Sequence, residues 1–309
     1  MNSDFSSRLS EAVVRCRTPV LVGLDPRFEN IPVAITRHRD PLQPQAMADA
    51  YQEFCCRVID VVASLVPAVK PQAAFFEELG PAGMSALGEV IAHARRAGLL
   101  VILDGKRNDI GTTAAAYAKG YLGRAPLSPW GADALTVSPY LGHDSLAPFL
   151  DVAKSRGAGL FVLVKTSNPG GGMFQDLLAD GRRLFEHVAD HVESLALQTC
   201  AAPNELGIVG AVVGATYPQQ LTELRERMPH AWLLVPGYGA QGGAAKDVSS
   251  AFHAKGLGAL INNSRGIIFA HQQPEYRKRF NESQWQDAVA AATREMIDQL
   301  RDETPAGKL

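Results

Sequence analysis

The chain has 309 residues, of which 46% are hydrophobic and 20% charged, an ordinary globular composition. The balance of 30 Lys and Arg against 32 Asp and Glu gives a net charge of -2, which excludes the basic excess typical of nucleic-acid-binding proteins. No apolar run approaches the about 18 residues that cross a membrane, and the first residues lack a signal peptide's apolar core. The four cysteines have no C-x-x-C spacing, which favours reduced thiols. We therefore expect a cytoplasmic protein without nucleic-acid or membrane partners.

Eight short apolar segments recur along the chain, with amphipathic stretches between them. Each segment is nearly continuous in apolar residues and is closed by Gly, Pro, Ser or Asn, which is typical of strands in a covered parallel sheet. Eight alternations of strand and helix favour a closed (β/α)8 TIM barrel over an open sheet. We expect a single barrel domain over 1–309, with an N-terminal helix, inserted loops near 27–45 and 170–183, and a C-terminal helix. The predicted strands lie within 19–26, 68–76, 99–106, 134–142, 159–169, 208–218, 231–243 and 259–266.

Polar side chains follow these segments at the points where the strands end. Active sites of such barrels are built at the C-terminal ends of the strands, so these side chains are predicted to share one mouth. The residues are Asp25, Lys70, Asp104, Lys106, Ser138, Lys165 through Asn168, Thr216, Gln241 and Arg265.

The segment PGYGAQGG at 236–243 contains a formal G-x-G-x-x-G pattern. A dinucleotide site would need an acidic residue at the end of the next strand, but that strand, ALINNSRG, ends in Arg265. A Gly-rich turn after the seventh strand and a basic residue after the eighth instead indicate the phosphate grip of a barrel. We expect backbone N–H groups, the helix beginning near Gly266 and the Arg265 guanidinium to bind the anion.

The segment VILDGKRNDIGTT, 101–113, places four ionisable residues after an apolar strand. Because side chains alternate with period two, Asp104 and Lys106 are predicted on the same face, beside Lys70 of the second strand. With Asp109 beyond the strand end, the charges alternate in sign, so every member of the set can be paired. Asp104 is then expected to stay ionised and Lys106 protonated, giving fixed charge and one transferable proton.

This charged segment has two other interpretations. Two aspartates could hold Mg²⁺, but the two interleaved lysines already supply positive charge, so no metal is expected. A surface salt-bridge network is disfavoured because the preceding strand is too apolar to end in solvent by accident. No Ser–His or Cys–His pair accompanies the charges, so the pattern does not indicate a nucleophile with its base.

The segment DGKRNDIGTT resembles the D-x-K-x-x-D-I-x-x-T signature of the orotidine 5'-phosphate decarboxylase family. GLDP, VKPQAAFFE, the SNPG turn, PGYGAQGG and the late Arg265 follow in the family's order. The resemblance covers roughly 19–267 and is to the family's longer branch, which has helical insertions. Asn168 stands where shorter members often have His.

The resemblance implies decarboxylation of orotidine 5'-phosphate to UMP and carbon dioxide, the last step of de novo pyrimidine nucleotide synthesis, without a cofactor. It assigns proton donation to Lys106 and completes the catalytic set with Asp104, Asp109 and Lys70. It also implies a homodimer in which Asp109 and Thr113 are lent to the partner's site. The implied substrate contacts are Asp25 and Lys70 to the ribose, Thr113, Ser167 to the pyrimidine amide, and Gln241 and Arg265 to the phosphate, with backbone near Ser264.

Two alternatives stay open from the sequence. One is a Mg²⁺-dependent sugar-phosphate decarboxylase, which shares the D-x-K-x-x-D pattern on the same barrel but needs an additional acidic ligand. The other is a phosphate-ligand-binding barrel without catalysis, which the complete charged set disfavours.

Overall fold

Eight parallel strands close into a barrel, and this confirms the predicted (β/α)8 fold. The computed structural model describes residues 4–123, 126–202, 205–239 and 244–309. Around the barrel the strands follow the order β1-β10-β9-β8-β5-β4-β3-β2, and β6 with β7 forms a separate hairpin. The strands are β1 (Val20–Leu24), β2 (Ala68–Pro71), β3 (Leu100–Arg107), β4 (Ala134–Val137), β5 (Gly159–Lys165), β6 (Leu178–Ala179), β7 (Arg182–Arg183), β8 (Val209–Val213), β9 (Leu233–Val235) and β10 (Ala259–Asn263).

The barrel strands match the predicted segments, because seven lie inside them and β3 runs one residue further, to Arg107. Each carries a continuous apolar run, and every residue of β1, β2, β4, β8 and β9 is buried. Such runs form strands that helices cover on the outside and neighbouring side chains fill on the inside.

The helices surround the barrel and supply its outer layer. The longest, α3 and α13, have 19 residues each. No helix in the described ranges is long and apolar enough to cross a membrane. The helices are α1 (Phe5–Cys16), α2 (Val33–Thr36), α3 (Pro44–Val62), α4 (Ala74–Glu77), α5 (Gly80–Arg96), α6 (Gly111–Tyr121), α7 (His143–Arg156), α8 (Gly172–Gln175), α9 (Leu184–Leu197), α10 (Pro218–Arg227), α11 (Arg265–Ile268), α12 (Pro274–Arg277) and α13 (Trp285–Glu303).

Helix α1 packs across the end of the barrel where the strands begin. Its Phe5 ring meets Phe161 of β5 edge-on, with centroids 6.1 Å apart. A side chain at Gly159 would overlap the Phe5 ring, so only glycine allows this close approach. The Ser6 hydroxyl donates to the carbonyl of Leu206 at 2.6 Å and accepts from the Trp232 indole at 3.0 Å. The first helix is therefore fastened to segments about 200 residues later in the chain.

Two buried charged groups close the same end. Arg8 of α1 pairs with Asp133, just before β4, at 2.6 Å, and Asp133 also accepts the main-chain N–H of Val101 at 3.0 Å. Arg225 of α10 donates to the carbonyl oxygens that surround it, with distances of 2.9 Å to Ala231 and 3.0 Å to Gly258. We call this part of the molecule the closed end, and the opposite part the mouth.

The two predicted inserted loops contain short regular elements. Region 27–45 holds a 3-10 turn (Phe28–Asn30) and α2. Region 170–183 holds α8 and the two-residue strands β6 and β7, paired antiparallel. Both lie after barrel strands, on the side of the mouth, where loop length is least constrained by the barrel.

Candidate active site

Three of the predicted charged residues meet at the mouth, at the ends of β2 and β3. Lys70 Nζ lies 2.8 Å from Asp104 Oδ2, and Lys106 Nζ lies 2.7 Å from Asp104 Oδ1. The two lysines therefore take different oxygens of one carboxylate. Lys70 is buried, whereas 46% of the Lys106 side chain is exposed, so one ammonium is enclosed and the other faces the mouth.

Two neutral side chains complete the surroundings of Asp104. Gln72 Nε2 donates to Asp104 Oδ2 at 3.2 Å, and Thr136 Oγ1 donates to Asp104 Oδ1 at 2.9 Å. Each carboxylate oxygen thus accepts one charged and one neutral donor. A buried carboxylate is stable only when it is paired and hydrogen-bonded in this way.

The shifted pKa values of Asp104 and Lys70 keep the charges of these two groups fixed. Burial alone would raise the pKa of Asp104, but the attraction of Lys70 and Lys106 outweighs it and lowers that pKa well below its usual value. Burial alone would lower the pKa of Lys70, but Asp104 and then Asp25 outweigh it and raise that pKa. The carboxylate and the buried ammonium therefore hold their charges around neutral pH.

Lys106 departs from regular strand geometry. Its φ is 45°, in the left-handed region that non-glycine residues seldom adopt, and the β3–β4 register shifts between Leu103 and Arg107. The period-two argument from the sequence predicts the right contact partner, but Lys106 reaches Asp104 from a local irregularity in the strand. Backbone strain of this kind clusters at functional sites.

Among the described residues, Asp109 and Thr113 make no ion pair or hydrogen bond with this set. Asp109 follows β3, and its Oδ1 accepts the N–H of Ile110 at 2.8 Å. Thr113 lies in the first turn of α6 and is exposed, and the Ile110 side chain is 55% exposed. The segment therefore carries an acid without an ion-pair partner among the described residues, together with an exposed hydroxyl and an exposed apolar side chain.

Asp25 follows β1 and has one carboxylate oxygen, Oδ1, that is buried without a hydrogen-bond partner. Asn262 Oδ1, near the end of β10, is also buried without a hydrogen-bond partner. Buried polar atoms are normally satisfied, so such orphans indicate a missing partner. The Coulombic influence of Asp25 on Lys70 places this acid near the charged set.

The predicted phosphate grip lies where β9 and β10 end. Gly239, Asn263 and Arg265 line one cleft of about 720 Å³, and Arg265 is exposed there. Gly237 and Gly239 have φ of 101° and 72°, which explains the glycines of this turn. Gln241 and Gly242 lie outside the described residues.

The predicted contribution of a helix at this position is weak. Helix α11 begins at Arg265 and has only four residues, so it carries little of a macrodipole. The N–H of Gly266 donates to Asn263 Oδ1 at 3.1 Å. Ser264 precedes the helix, and its hydroxyl occupies the space that a side chain at Gly23 of β1 would fill. The Arg265 guanidinium is therefore the principal cationic group that the sequence predicted here.

Ser167 lies in the bend after β5, half-buried, with its carbonyl oxygen accepting from the Thr216 hydroxyl at 3.4 Å. The neighbouring Lys165 is buried and pairs with Asp176 of the inserted loop 170–183 at 2.6 Å. Gln175 Nε2 donates to the Thr166 hydroxyl at 2.8 Å. These bonds hold the inserted loop against the end of β5, beside the predicted pyrimidine contact.

Sequence reasoning missed Gln72 and Thr136, although a signal for both was present. Gln72 is two residues after Lys70, and Thr136 is two residues before Ser138. Period two predicts each on the same face as the polar residue already chosen.

The surroundings of Asp104 also bear on the magnesium alternative. Both of its oxygens already accept from lysines, so neither is left without a donor to hold a metal ion. Within the described ranges, no three His, Cys, Asp or Glu side chains are arranged to hold a metal ion.

Comparisons with known proteins show which family this chain resembles. A family model described as "Orotidine 5'-phosphate decarboxylase / HUMPS family" matches residues 18–279. The orotidine 5'-phosphate decarboxylase of Rhodopirellula baltica is 58% identical over 96% of this chain and 99% of the relative, and that of Deinococcus radiodurans is 44% identical over 87% and 91%. The structure of Leishmania donovani OMP decarboxylase superposes with a TM-score of 0.74 at 35% identity, covering 97% of this chain and 98% of the other.

Proposed function

The chain belongs to the orotidine 5'-phosphate decarboxylase / HUMPS family, and on that premise we propose the reaction and the residues that perform it. The protein is a carboxy-lyase that converts orotidine 5'-phosphate to UMP and carbon dioxide, in the pathway of pyrimidine nucleotide synthesis. With a 58% identical relative of that name, the magnesium-dependent and non-catalytic alternatives are not favoured.

The observation that carries the chemical proposal is the placement of Asp104 between two ammonium groups. Lys70 is enclosed and fixes the carboxylate, while Lys106 keeps nearly half of its side chain exposed at the mouth. A substrate entering the mouth therefore meets a carboxylate and an ammonium that are already oriented. Such preorganised charge acts on the transition state without having to reorganise during the reaction.

The proposed step breaks the bond between the pyrimidine ring carbon and the substrate carboxylate. The bonding electron pair stays on the ring carbon, and carbon dioxide leaves as a neutral molecule. The ammonium of Lys106 stabilises the carbanion as it develops and then transfers a proton to it, giving UMP and a neutral amine that solvent reprotonates. Asp104 faces the substrate carboxylate, and their repulsion disappears when carbon dioxide forms.

The two charges do not supply the whole rate enhancement. The upper end of the enzyme range corresponds to about 20 kcal/mol of barrier lowering. Binding energy from the phosphate, held by Arg265 and by Gln241, is available to close loops and to favour distortion at the ring. Asp25 and Lys70 hold the ribose, Ser167 the pyrimidine amide, and backbone near Ser264 helps with the phosphate.

The active protein is proposed to be a homodimer with shared sites. Asp109 makes no ion pair with the lysines of its own chain among the described residues, and Ile110 and Thr113 are exposed, which supports their use by a partner subunit. Mixing inactive Lys106→Ala and Asp109→Ala proteins should restore activity, because one of the two mixed sites then has both wild-type residues. No recovery after demonstrated subunit exchange would contradict the shared site.

One assay tests the reaction directly. The purified protein is given orotidine 5'-phosphate labelled in its carboxyl group, and released labelled carbon dioxide is counted. Stoichiometric UMP should appear with the carbon dioxide. A folded wild-type protein that releases no label would contradict the function.

We also propose a cytoplasmic location and the absence of a nucleic-acid partner. Cell fractionation would test the first, and a nucleic-acid retention assay would test the second.

A further inference from the structure

The side chain that connects β4 to the charged set is Thr136. It is 1% exposed, and its hydroxyl makes two hydrogen bonds. The hydroxyl accepts the main-chain N–H of Lys106 at 2.8 Å and donates to Asp104 Oδ1 at 2.9 Å. Both partners belong to β3, so Thr136 bridges two residues of the neighbouring strand.

The direction of both hydrogen bonds follows from the chemistry of the partners. A main-chain N–H can only donate, and an ionised carboxylate can only accept. The lowered pKa of Asp104 keeps it ionised, so the Thr136 hydroxyl proton points at Asp104 and a lone pair points at Lys106. The hydroxyl is thereby fixed in one orientation.

These bonds close a ring that passes through Lys106 itself. The Lys106 main chain is bound to Thr136, Thr136 is bound to Asp104 Oδ1, and the same oxygen accepts from Lys106 Nζ at 2.7 Å. Lys106 has a left-handed backbone with φ 45°. If its main-chain bond to Thr136 were lost, we expect this backbone to relax and the ring of hydrogen bonds to open. A left-handed conformation is unfavourable for a non-glycine residue, so it needs support from its surroundings.

We propose that Thr136 is a positioning residue for the decarboxylation, which sets where the Lys106 ammonium lies by binding the Lys106 main chain and Asp104 at once. The inference rests on the proposed function, because it concerns the placement of the proton donor. Thr136 acts through Lys106 and Asp104, on the side of the reacting carbon. The phosphate grip at Arg265 lies at the ends of other strands, so substrate affinity is expected to change little.

Two variants separate positioning from structural support. Thr136→Val keeps the volume and the branched shape that suit a buried strand but removes the hydroxyl, whereas Thr136→Ser keeps the hydroxyl. We expect Thr136→Val to lower kcat about 10- to 100-fold, with KM and the dissociation constant of UMP within about threefold of wild type. Thr136→Ser should recover kcat to within about fivefold of wild type, because both hydrogen bonds are retained.

Thr18→Val is the matched control. Thr18 is equally buried, at the closed end, and its hydroxyl accepts the main-chain N–H of Val20 at 3.3 Å. Its substitution should leave kcat unchanged. If Thr136→Val does not fold, Thr136→Ala carries the same expectation.

Two results would overturn the proposal: a folded hydroxyl-free variant with kcat within twofold of wild type, or a Thr136→Ser protein as slow as Thr136→Val. A wild-type protein that releases no carbon dioxide in the same assay would instead count against the proposed function.

Discussion

Both ends of the barrel bury a charged side chain, but the groups that bind it differ. At the closed end, Arg225 donates to four main-chain carbonyl oxygens, those of Met228, Ala231, Ala251 and Gly258. At the mouth, the central anion Asp104 is held by two lysines, one of which, Lys106, is half exposed. The closed end therefore surrounds a buried cation with main-chain dipoles, whereas the mouth leaves part of a cation exposed.

This difference indicates that the closed end contributes to stability and that the mouth is suited to chemistry. A buried guanidinium that is held by main-chain carbonyls is closed off from ligands in solvent, so we expect it to contribute to the free energy of unfolding. An ammonium that is anchored on one side and open on the other can meet a developing negative charge. In barrels of this kind the strand beginnings serve stability and the strand ends serve catalysis.

The largest effect that would sharpen this comparison is expected at Lys106. Lys106→Ala should lower kcat by about 10⁴-fold or more, because it removes the proposed proton donor and its stabilising charge together. UMP binding and the thermal midpoint should change little, since Asp104 keeps three of its partners. Carbon dioxide release and UMP titration measure the two quantities, with exposed Lys154→Ala as the control. Retained turnover would refute the proton-donor role.

Arg265→Ala should affect the mouth in another way. Loss of the guanidinium is expected to raise KM for orotidine 5'-phosphate about 100-fold, because a charge-assisted contact to the phosphate disappears. Steady-state kinetics would measure KM, and competition between the substrate and added phosphite would measure binding at the anion site. Arg277→Ala, exposed on the nearby α12, is the control and should be neutral. An unchanged KM would rule out Arg265 as a phosphate ligand.

Arg225→Met tests the closed end and should show the converse behaviour. Four buried carbonyl oxygens would lose their donor, so the free energy of unfolding should fall by about 3 kcal/mol. Denaturant unfolding measures this loss, and kcat per folded molecule should stay near wild type. Arg227→Met, two residues along the same helix, removes partly exposed ion pairs and should cost no more than about 1 kcal/mol. Slower catalysis by Arg225→Met without loss of stability would contradict the assignment of the closed end to stability.

The smallest expected effect is the pH dependence of the closed end. Burial first, and then the charge of Arg225, lower the pKa of His253 from 6.5 to about 4. The unfolded chain therefore binds more protons than the folded one between these values, so stability falls as pH drops from 6.5 towards 4.

We expect this histidine to account for about 1–2 kcal/mol of that loss, after allowance for its partial exposure. Urea unfolding at several pH values should show a flatter profile for His253→Asn. Identical profiles for both proteins would contradict the assignment. The mouth should contribute little in this window, because the lowered pKa of Asp104 and the raised pKa of Lys70 keep their stabilisation between about pH 4 and pH 10.

The barrel and the charged set were predictable because both depend on local pattern. Continuous apolar runs closed by turn residues mark the eight strands, and a separation of two residues relates Asp104 to Lys106. Lys70 follows because sequential parallel strands are neighbours in the barrel, so the end of β2 lies beside the end of β3.

Other features depend on residues far apart in sequence and could not be read from local pattern. The left-handed turn at Lys106 arises where β3 shifts its register against β4. Gly23 makes room for Ser264, which is more than 200 residues away. Arg225 is satisfied by carbonyls that only the folded chain brings together. The short elements of region 170–183 have no periodicity long enough to indicate them.

The attachment of α1 has a consequence for how the molecule is made. Ser6 bonds to Leu206 and Trp232, and β1 pairs with β10, so the first helix and strand of the chain are completed by its last third. On the ribosome, the amino-terminal segment emerges long before these partners exist. Its apolar face therefore stays uncovered until residue 232 and β10 have left the exit tunnel. Ring closure is consequently a late event in biosynthesis, and the nascent barrel is an open sheet with an exposed edge for most of its translation.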